Sequence, residues 1–206
     1  MVKALVSGCL LAVVLQASAI AGDVAAPATA PEPGRLISAD VISTLRAILK
    51  DEVIQISVKA QNKRLAGIDQ ARIDELDTTW RAQTKSDGKQ PMIARVMSNP
   101  TSSQLSRIQA ASLGLYSEIF VVDSYGLNVG QSSITSDYWQ GDEAKFQKTF
   151  PMGGDAVFID EAEWNEATKT WRAQVNMTIA DVDTGTPIGA ATIEINLTEL
   201  QRRLGV

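Results

Sequence analysis

The sequence contains no histidine and a single cysteine, Cys9. A Ser-His-Asp triad, a Cys-His dyad and a histidine-bearing zinc or haem site are therefore excluded. Cys9 lies in an N-terminal segment that we expect to be removed, so the mature protein forms no disulfide and no thiolate metal site. No motif assembles the remaining carboxylates, lysines and hydroxyls into a catalytic site, and we expect no metal, no cofactor and no enzyme activity.

The sequence also lacks a basic tract. The chain has 19 Lys and Arg against 24 Asp and Glu, for a formal net charge of −5. Loss of Lys3 with the N-terminal segment lowers that charge by one more. An acidic surface without a basic run argues against nucleic-acid binding.

The N-terminus has the pattern of a secretory signal peptide. Lys3 precedes an apolar run over residues 4–15, and small residues of the A-x-A kind follow it. The run is shorter than the about 20 residues that a membrane-spanning helix needs. We expect cleavage after Ala21, with Ala19 as the alternative, and export to the periplasm as a soluble protein. Cys9 also suggests a lipoprotein box, but the apolar run continues past it, which favours simple secretion.

The rest of the chain divides by composition and pattern. Residues 22–35 are rich in alanine and proline with almost no large apolar side chain, which predicts a flexible leader. Residues 36–206 are predicted to form one domain, with a helical part over 38–112 and a sheet part over 115–200. Helices followed by strands indicate the α+β class.

Apolar residues at intervals of three and four predict one long helix over residues 38–65. A second helix is predicted to end near Gln83, and shorter helices are predicted near 92–97 and over 103–112. We expect the apolar stripe of the long helix to pack on one face of the sheet. The outer face of the long helix is a candidate surface for a homodimer.

Alternating and β-branched residues predict five antiparallel strands. The clearest alternation runs from Trp171 to Ile179, where apolar and polar residues point to opposite faces. A short helix over 143–149 is expected to cover the face that the long helix leaves open. The predicted strands span residues 118–123, 127–132, 156–164, 171–179 and 188–196.

Three stretches resemble the bacterial extracytoplasmic Cache domains, a PAS-like sensor family, here of the single-Cache type. The stretches are FVVDSYG at 120–126, SDYWQGDEAKF at 136–146 and DVDTGTPIG at 181–189. The resemblance covers residues 115–200 by motif and the helical part by layout. It implies a long helix packed on a five-stranded PAS-like sheet, with a ligand between the sheet and the segment after the second strand. Such domains bind amino acids, organic acids or similar small metabolites, and serve membrane-bound kinases, cyclases or chemoreceptors.

The segment after the second strand supplies the first candidate ligand-binding residues. The resemblance matches Tyr138 and Trp139 to the aromatic residues of the ligand cover. Either ring contacts a ligand, or it fills the protein's own core. Asp137 binds an amine in one reading and shapes a turn in the other.

Four more candidates come from the cover and from two strands. Relatives that bind amino acids carry an arginine in the cover and an aspartate on the last strand; here Lys145 is the cation of the block and Glu194 holds the strand position. Lys145 pairs with a ligand carboxylate or is an ordinary solvated lysine. Gln174 and Asn176 orient a ligand if their strand face lines the pocket. Glu194 is a candidate because a mid-strand carboxylate is unusual.

Two functions follow from these observations. The first is a periplasmic small-molecule sensor that reports its ligand to a membrane-bound kinase, cyclase or chemoreceptor. The alternative is a periplasmic interaction protein that binds no ligand and acts through its long helix.

Overall fold

A computed structural model describes residues 29–206 of the chain. The predicted signal peptide over 1–21, and residues 22–28 of the predicted leader, lie outside the described residues. Within the described part, a short helix α1 (Pro33–Leu36) comes first, and Leu36 packs against the core. None of the helices in this part has the length and hydropathy of a membrane-spanning segment.

The predicted helix over 38–65 is wrong in one respect, because the chain breaks there into two helices. α2 ends at Leu49, and Asp51 takes an extended conformation and caps α3, its side chain accepting a hydrogen bond from the Val53 amide at 2.9 Å. Leu49 is buried before the break, and Ile54 and Val58 are buried after it, whereas Ile56 is 57% exposed, so α3 buries a row of residues one step away from the regular spacing. The helices of this half are α2 (Ala39–Leu49), α3 (Glu52–Arg64), α4 (Gln70–Thr84), α5 (Pro91–Met97) and α6 (Pro100–Ala111).

The second half confirms the α+β class with an antiparallel sheet. The strand predicted over 156–164 is two short strands that both pair with β5, so the sheet has six strands in place of five. The strand order is β2-β1-β6-β5-β3, and the last strand in sequence, β6, therefore lies in the middle. The elements are β1 (Tyr116–Asp123), β2 (Asn128–Gln131), α7 (Ala144–Gln147), a 3₁₀ turn (Phe150–Met152), β3 (Val157–Ile159), β4 (Glu163–Asn165), β5 (Thr170–Ala180), β6 (Pro187–Asn196) and α8 (Leu197–Leu204).

One face of the sheet packs on the helices and forms the main core. Val121, Met177 and Ile193 project from β1, β5 and β6 toward Ile54 and Val58 of α3, and all five are buried. Each such side chain contributes about 1.5–3 kcal/mol on burial. This core fixes the register of the three central strands, and with it the direction in which every other side chain points.

The opposite face of the sheet is mostly polar, and we call it the polar face. On β5 it presents Gln174 and Asn176, because side chains alternate between the faces of a strand. At one end of this face Phe120 packs against Phe146 and Phe150 from the segment after β2. The two rings of that segment stack with centroids 5.2 Å apart. The segment thus covers part of the polar face and leaves the rest open.

A separate apolar cluster joins α4, α5 and the residues that follow β2. Its centre is Trp80, which is fully buried and lies 5.5 Å from the ring of Tyr138. The indole nitrogen of Trp80 donates a hydrogen bond to the Thr135 carbonyl at 2.9 Å. This cluster lies on the helical side of the molecule and fixes the path of the chain from β2 toward α7.

Candidate ligand site on the polar face

A cavity of about 400 Å³ lies on the polar face, between the sheet and the start of α7. The strands position its wall: β5 and β6 present alternate residues there, and the turn between β3 and β4 closes one side. We call it the polar-face cavity. Its charged and amide-bearing lining residues are Glu143, Lys145, Asp160, Glu161, Glu163, Asn165, Arg172, Gln174 and Glu194.

Both cations of this cavity form ion pairs. The Arg172 guanidinium lies 3.1 Å from a Glu194 carboxylate oxygen, and both side chains are largely buried. The Lys145 amine lies 2.9 Å from a Glu143 oxygen. The lining holds five carboxylates and two cations, so three carboxylates exceed the number of cations. Such an excess favours a ligand that carries a positive charge.

Glu118 adds a further carboxyl group at the edge of this site. It lies directly opposite Glu194 on the neighbouring strand, where facing side chains share one side of the sheet. Burial, and then the charge of Glu194, raise the pKa of Glu118 to about 7, although Lys145 and Arg172 act in the opposite direction. Glu118 therefore carries a proton on part of the molecules at neutral pH.

Buried polar groups continue the polar face beneath the covering segment. Asn176 is fully buried, and its side-chain oxygen accepts a hydrogen bond from the Thr192 hydroxyl at 2.7 Å. The Asn176 amide nitrogen and the Thr178 hydroxyl form no hydrogen bond with any residue in the range 29–206. A buried polar atom left unpaired costs about 1–3 kcal/mol. These atoms are therefore ready partners for a water molecule or a ligand.

The covering segment is tied to the sheet through a few side chains. The Lys145 amine lies 5.5 Å from the centroid of the Phe120 ring, and the Lys148 amine lies 4.0 Å from that of Phe158. These distances are in the range of cation–π contacts. Together with the stacked Phe146 and Phe150, they hold two short elements over the sheet. Such a cover opens at lower cost than a long helix packed along its whole length.

The structure places four of the seven predicted site residues at the polar face, and three of these four line the cavity. Lys145, Gln174 and Glu194 line the polar-face cavity. Asn176 lies on the same face of β5, one alternation further along from Gln174. These four depend on strand alternation and on the segment that follows β2, which are both visible in the sequence.

The other three predicted residues do not reach this cavity. Tyr138 is only 7% exposed and packs on Trp80. The Trp139 indole nitrogen donates a hydrogen bond to the Tyr125 carbonyl at 2.8 Å. Asp137 lies 3.0 Å from the Arg81 guanidinium. The two rings thus pack in the cluster on the helical side.

Asp77 is the reason why this part of the chain turns away from the polar face. One of its carboxylate oxygens accepts hydrogen bonds from the amides of Tyr138 and Trp139, at 2.8 and 3.1 Å. Leu127 forms a bridge with Trp139 on the other side. A short-range pattern around Tyr138 does not contain these partners, because Asp77 comes from α4.

Sequence reasoning did not select several residues of this cavity. Arg172 lies two positions before Gln174 on β5, and this spacing places Arg172 on the polar face as well. Glu118 was identifiable in the same way as Glu194, as a carboxylate inside a strand. Glu161 and Glu163 come from the stretch predicted as one strand, and the turn that brings them to the cavity had no separate signal.

Comparisons with known proteins give matches among solved structures only. No protein-family model and no curated protein matches the chain. The sensory domain of the Campylobacter jejuni chemoreceptor Tlp3 is 14% identical, with a TM-score of 0.38, over 78% of this chain and 65% of that one. The ligand-binding domain of the Pseudomonas aeruginosa amino-acid chemoreceptor PctC, in complex with GABA, is 12% identical, with a TM-score of 0.35, over 80% and 64%.

A third similar structure is the ligand-binding domain of the Pseudomonas fluorescens chemoreceptor CtaA in complex with L-alanine. It is 12% identical, with a TM-score of 0.35, over 77% of this chain and 62% of that one. The chain therefore spans slightly less than two thirds of each of these three structures. All three are sensory or ligand-binding domains of bacterial chemoreceptors.

Proposed function

We propose that this protein is a sensor module that binds a small molecule in the polar-face cavity. Two ion pairs support this proposal most directly, because both face the same cavity of about 400 Å³. They are Arg172–Glu194 and Lys145–Glu143. Ligand pockets commonly have volumes of about 300–1,000 Å³ and a few convergent polar groups. Charged groups held at these positions fix the orientation of a small polar ligand.

The charges favour a ligand with an amine, and an amino acid is the simplest that uses both signs. An ammonium group would bind between Glu194 on β6 and the three lining carboxylates that have no cation of the lining as partner, which are Asp160, Glu161 and Glu163. A ligand carboxylate would bind Arg172 or Lys145, in exchange for part of an existing ion pair. Gln174 supplies an amide between them that donates to one group and accepts from another.

Ligand binding would act through the covering segment. A ligand that contacts both the sheet and Lys145 would favour the closed arrangement of α7, and differential affinity for two arrangements shifts their populations. The N-terminal sequence pattern supports export to the periplasm. We infer that the closed state is read there by a membrane-bound kinase, cyclase or chemoreceptor.

The proposal is tested by thermal-shift screening of the purified protein against amino acids, amines and organic acids, followed by calorimetry. A ligand that binds only the folded state stabilises it by about 2.7 kcal/mol at one hundred times its Kd. Glu194→Gln is expected to weaken binding of an amine about tenfold or more, because it removes a buried charge. Glu166→Gln is the matched control, since Glu166 also forms an ion pair, with Lys169, and lies outside the lining of the cavity.

Two outcomes would contradict the proposal. One is a screen in which no amine or carboxylate raises the melting temperature at millimolar concentration. The other is a ligand whose affinity is lowered equally by Glu194→Gln and Glu166→Gln, because the effect would then come from the overall charge of the protein.

A further inference from the structure

A second cavity, of about 850 Å³, lies on the helical side of the molecule. It is bounded by α3, α4, the start of α6 and β2, and it shares no lining residue with the polar-face cavity. Nothing in the proposed sensor site uses it. We call it the arginine cavity, because Arg64, Arg72 and Arg95 line it.

The charge of the arginine cavity is opposite to that of the chain. Its lining contains three arginines and no aspartate or glutamate, although the chain carries a formal net charge of −5. Each arginine comes from a different helix: Arg64 from α3, Arg72 from α4 and Arg95 from α5. Three like charges around one concave surface repel each other, and a bound anion relieves that repulsion.

The arginines keep most of their donors for a ligand. Arg64 donates to the Gln61 side-chain oxygen at 2.9 Å, and Arg72 forms an ion pair with Glu75 on the same helix. Within residues 29–206, Arg95 forms neither a hydrogen bond nor an ion pair. A guanidinium presents five donors in a planar fork that matches a carboxylate or a phosphate.

The floor of the arginine cavity is buried and polar. Gln61, Asn128 and Tyr138 line it, and each is less than one tenth exposed. The side-chain oxygen of Asn128 is buried and accepts no hydrogen bond from any described residue. Burial, and then the charge of Asp123, raise the pKa of Tyr138 to about 12, although a hydrogen bond with Gln61 acts in the opposite direction, so its hydroxyl keeps its proton at neutral pH. The floor therefore offers an acceptor at Asn128 and a hydroxyl at Tyr138.

The first turn of α6 adds a further positive feature. Asn99, Pro100 and Thr101 line the arginine cavity, and α6 extends over 12 residues from Pro100. The N-terminus of a helix of this length carries a partial positive charge and favours a nearby anion. It adds to the three arginines and does not carry the assignment by itself.

We propose that the arginine cavity binds a small anion with at least two carboxylate or phosphate groups. The anionic groups would bind the arginines at the rim, and a hydroxyl of the ligand would donate to Asn128 on the floor. Depth favours a small molecule over an acidic segment of another protein, because a peptide on the rim would leave the buried polar floor unused. The site is independent of the sensor site proposed above.

Calorimetry on the purified protein tests the proposal with two probes, citrate and pyrophosphate, at constant ionic strength set with sodium chloride. We expect saturable binding of at least one probe. Arg95→Gln is expected to weaken it about tenfold or more, as for loss of a charged hydrogen-bonding partner. Arg107→Gln is the matched control, because Arg107 is also an exposed arginine, on α6, and lies outside the cavity lining. The tighter probe shows whether carboxylate or phosphate is the preferred group.

Tyr138→Phe is a second variant, which removes only a hydroxyl group from the floor. We expect it to weaken binding while the unfolding midpoint changes little. The proposal is overturned if neither probe binds at millimolar concentration, or if Arg95→Gln and Arg107→Gln weaken binding equally. It is also overturned if only an acidic peptide, such as an oligoglutamate, binds and is displaced by neither probe.

Discussion

The two cavities of this protein differ in charge, in exposure and in the elements that form them. In the polar-face cavity both cations, Arg172 and Lys145, are paired with carboxylates and largely buried. In the arginine cavity the three arginines are exposed, and Arg95 has no partner among the described residues. One site is built from strands in fixed register, whereas the other is built from the ends and sides of helices.

With the two proposed ligands, one acidic chain would select ligands of different charge at two separate sites. The sheet separates the polar-face cavity from the helices, so each cavity has its own set of side chains. Charges on strands are spaced by the register and cannot move far, which favours a ligand of fixed shape. Exposed arginines on helices adjust their side chains, which favours recognition by charge and by the number of anionic groups.

The largest expected effect comes from Trp80→Ala, which should separate the two cavities in their response. Trp80 is fully buried and packs on Tyr138, part of the floor of the arginine cavity. We expect a loss of about 3–5 kcal/mol of unfolding free energy, as for other large-to-small changes in a core. Urea unfolding measures the loss. At urea concentrations below the lowered unfolding midpoint, anion binding in the arginine cavity should be weakened while ligand binding in the polar-face cavity is retained. Equal losses of affinity at the two cavities would contradict their independence.

Ionisation of Glu118 should make the stability of the protein depend on pH, in contrast to the arginine cavity. Its pKa rises from an ordinary 4.5 to about 7 in the folded protein, so the folded state binds the proton more tightly than the unfolded state does. Stability due to this group is therefore highest below about pH 4.5, falls between about 4.5 and 7, and stays low above. Glu118→Gln should raise the melting temperature at pH 8 and leave it nearly unchanged at pH 4.5. An equal rise at both pH values would show that ionisation is not the cause.

Salt should weaken ligand binding at the two cavities to different extents, because their charged side chains differ in exposure. The screening length falls from about 10 Å at 0.1 M to about 3 Å at 1 M salt. Binding of citrate or pyrophosphate at the exposed arginines should weaken severalfold between these limits. Ligand binding among the largely buried pairs of the polar face should change less. Calorimetric titration at several sodium chloride concentrations makes the comparison, and parallel slopes for the two ligands would contradict it.

Several features of this molecule were predictable from the sequence, because they depend on short-range periodicity. The alternation on β5 predicted that Gln174 and Asn176 share a face, and the register confirms it. The break at Asp51 was not predicted, because Val53 and Ile56 continue the spacing of Leu49 in the sequence, whereas α3 buries Ile54 and Val58 and leaves Ile56 57% exposed. The side chain of Asp51, which caps the first turn of α3, sets the position of the break.

The positions of Tyr138 and of the three arginines could not be predicted from the sequence, because they depend on contacts between different elements. The backbone around Tyr138 is held by Asp77, which belongs to another element. The arginines come from three helices, and only the packing of those helices brings them around one cavity. Patterns within a window of residues contain neither relation, so the sequence left open whether Tyr138 contacts a ligand or packs in the core.

The smallest expected effect concerns the outer face of α2 and α3, the predicted surface for a homodimer. Ile56 on α3 is 57% exposed, and Ile56→Lys should change the unfolding free energy by less than about 0.5 kcal/mol, as for other surface positions. If this face mediates a dimer, the substitution dissociates it, as measured by light scattering after size-exclusion chromatography. If the measured mass does not change, this face does not mediate a dimer. That result would also count against the alternative of an interaction protein that acts through these helices.

The central position of β6 has a consequence for the order of assembly. β6 pairs with β1 on one side and with β5 on the other, yet it is synthesised after both of them. Until Pro187–Asn196 is available, β1 and β5 each keep an unpaired edge, and such edges are sites of aggregation. Pairings between residues as distant in sequence as Phe120 and Thr192 also close slowly. The sheet therefore cannot be completed until Pro187–Asn196 has been synthesised, because β1 and β5 share β6 as their common partner.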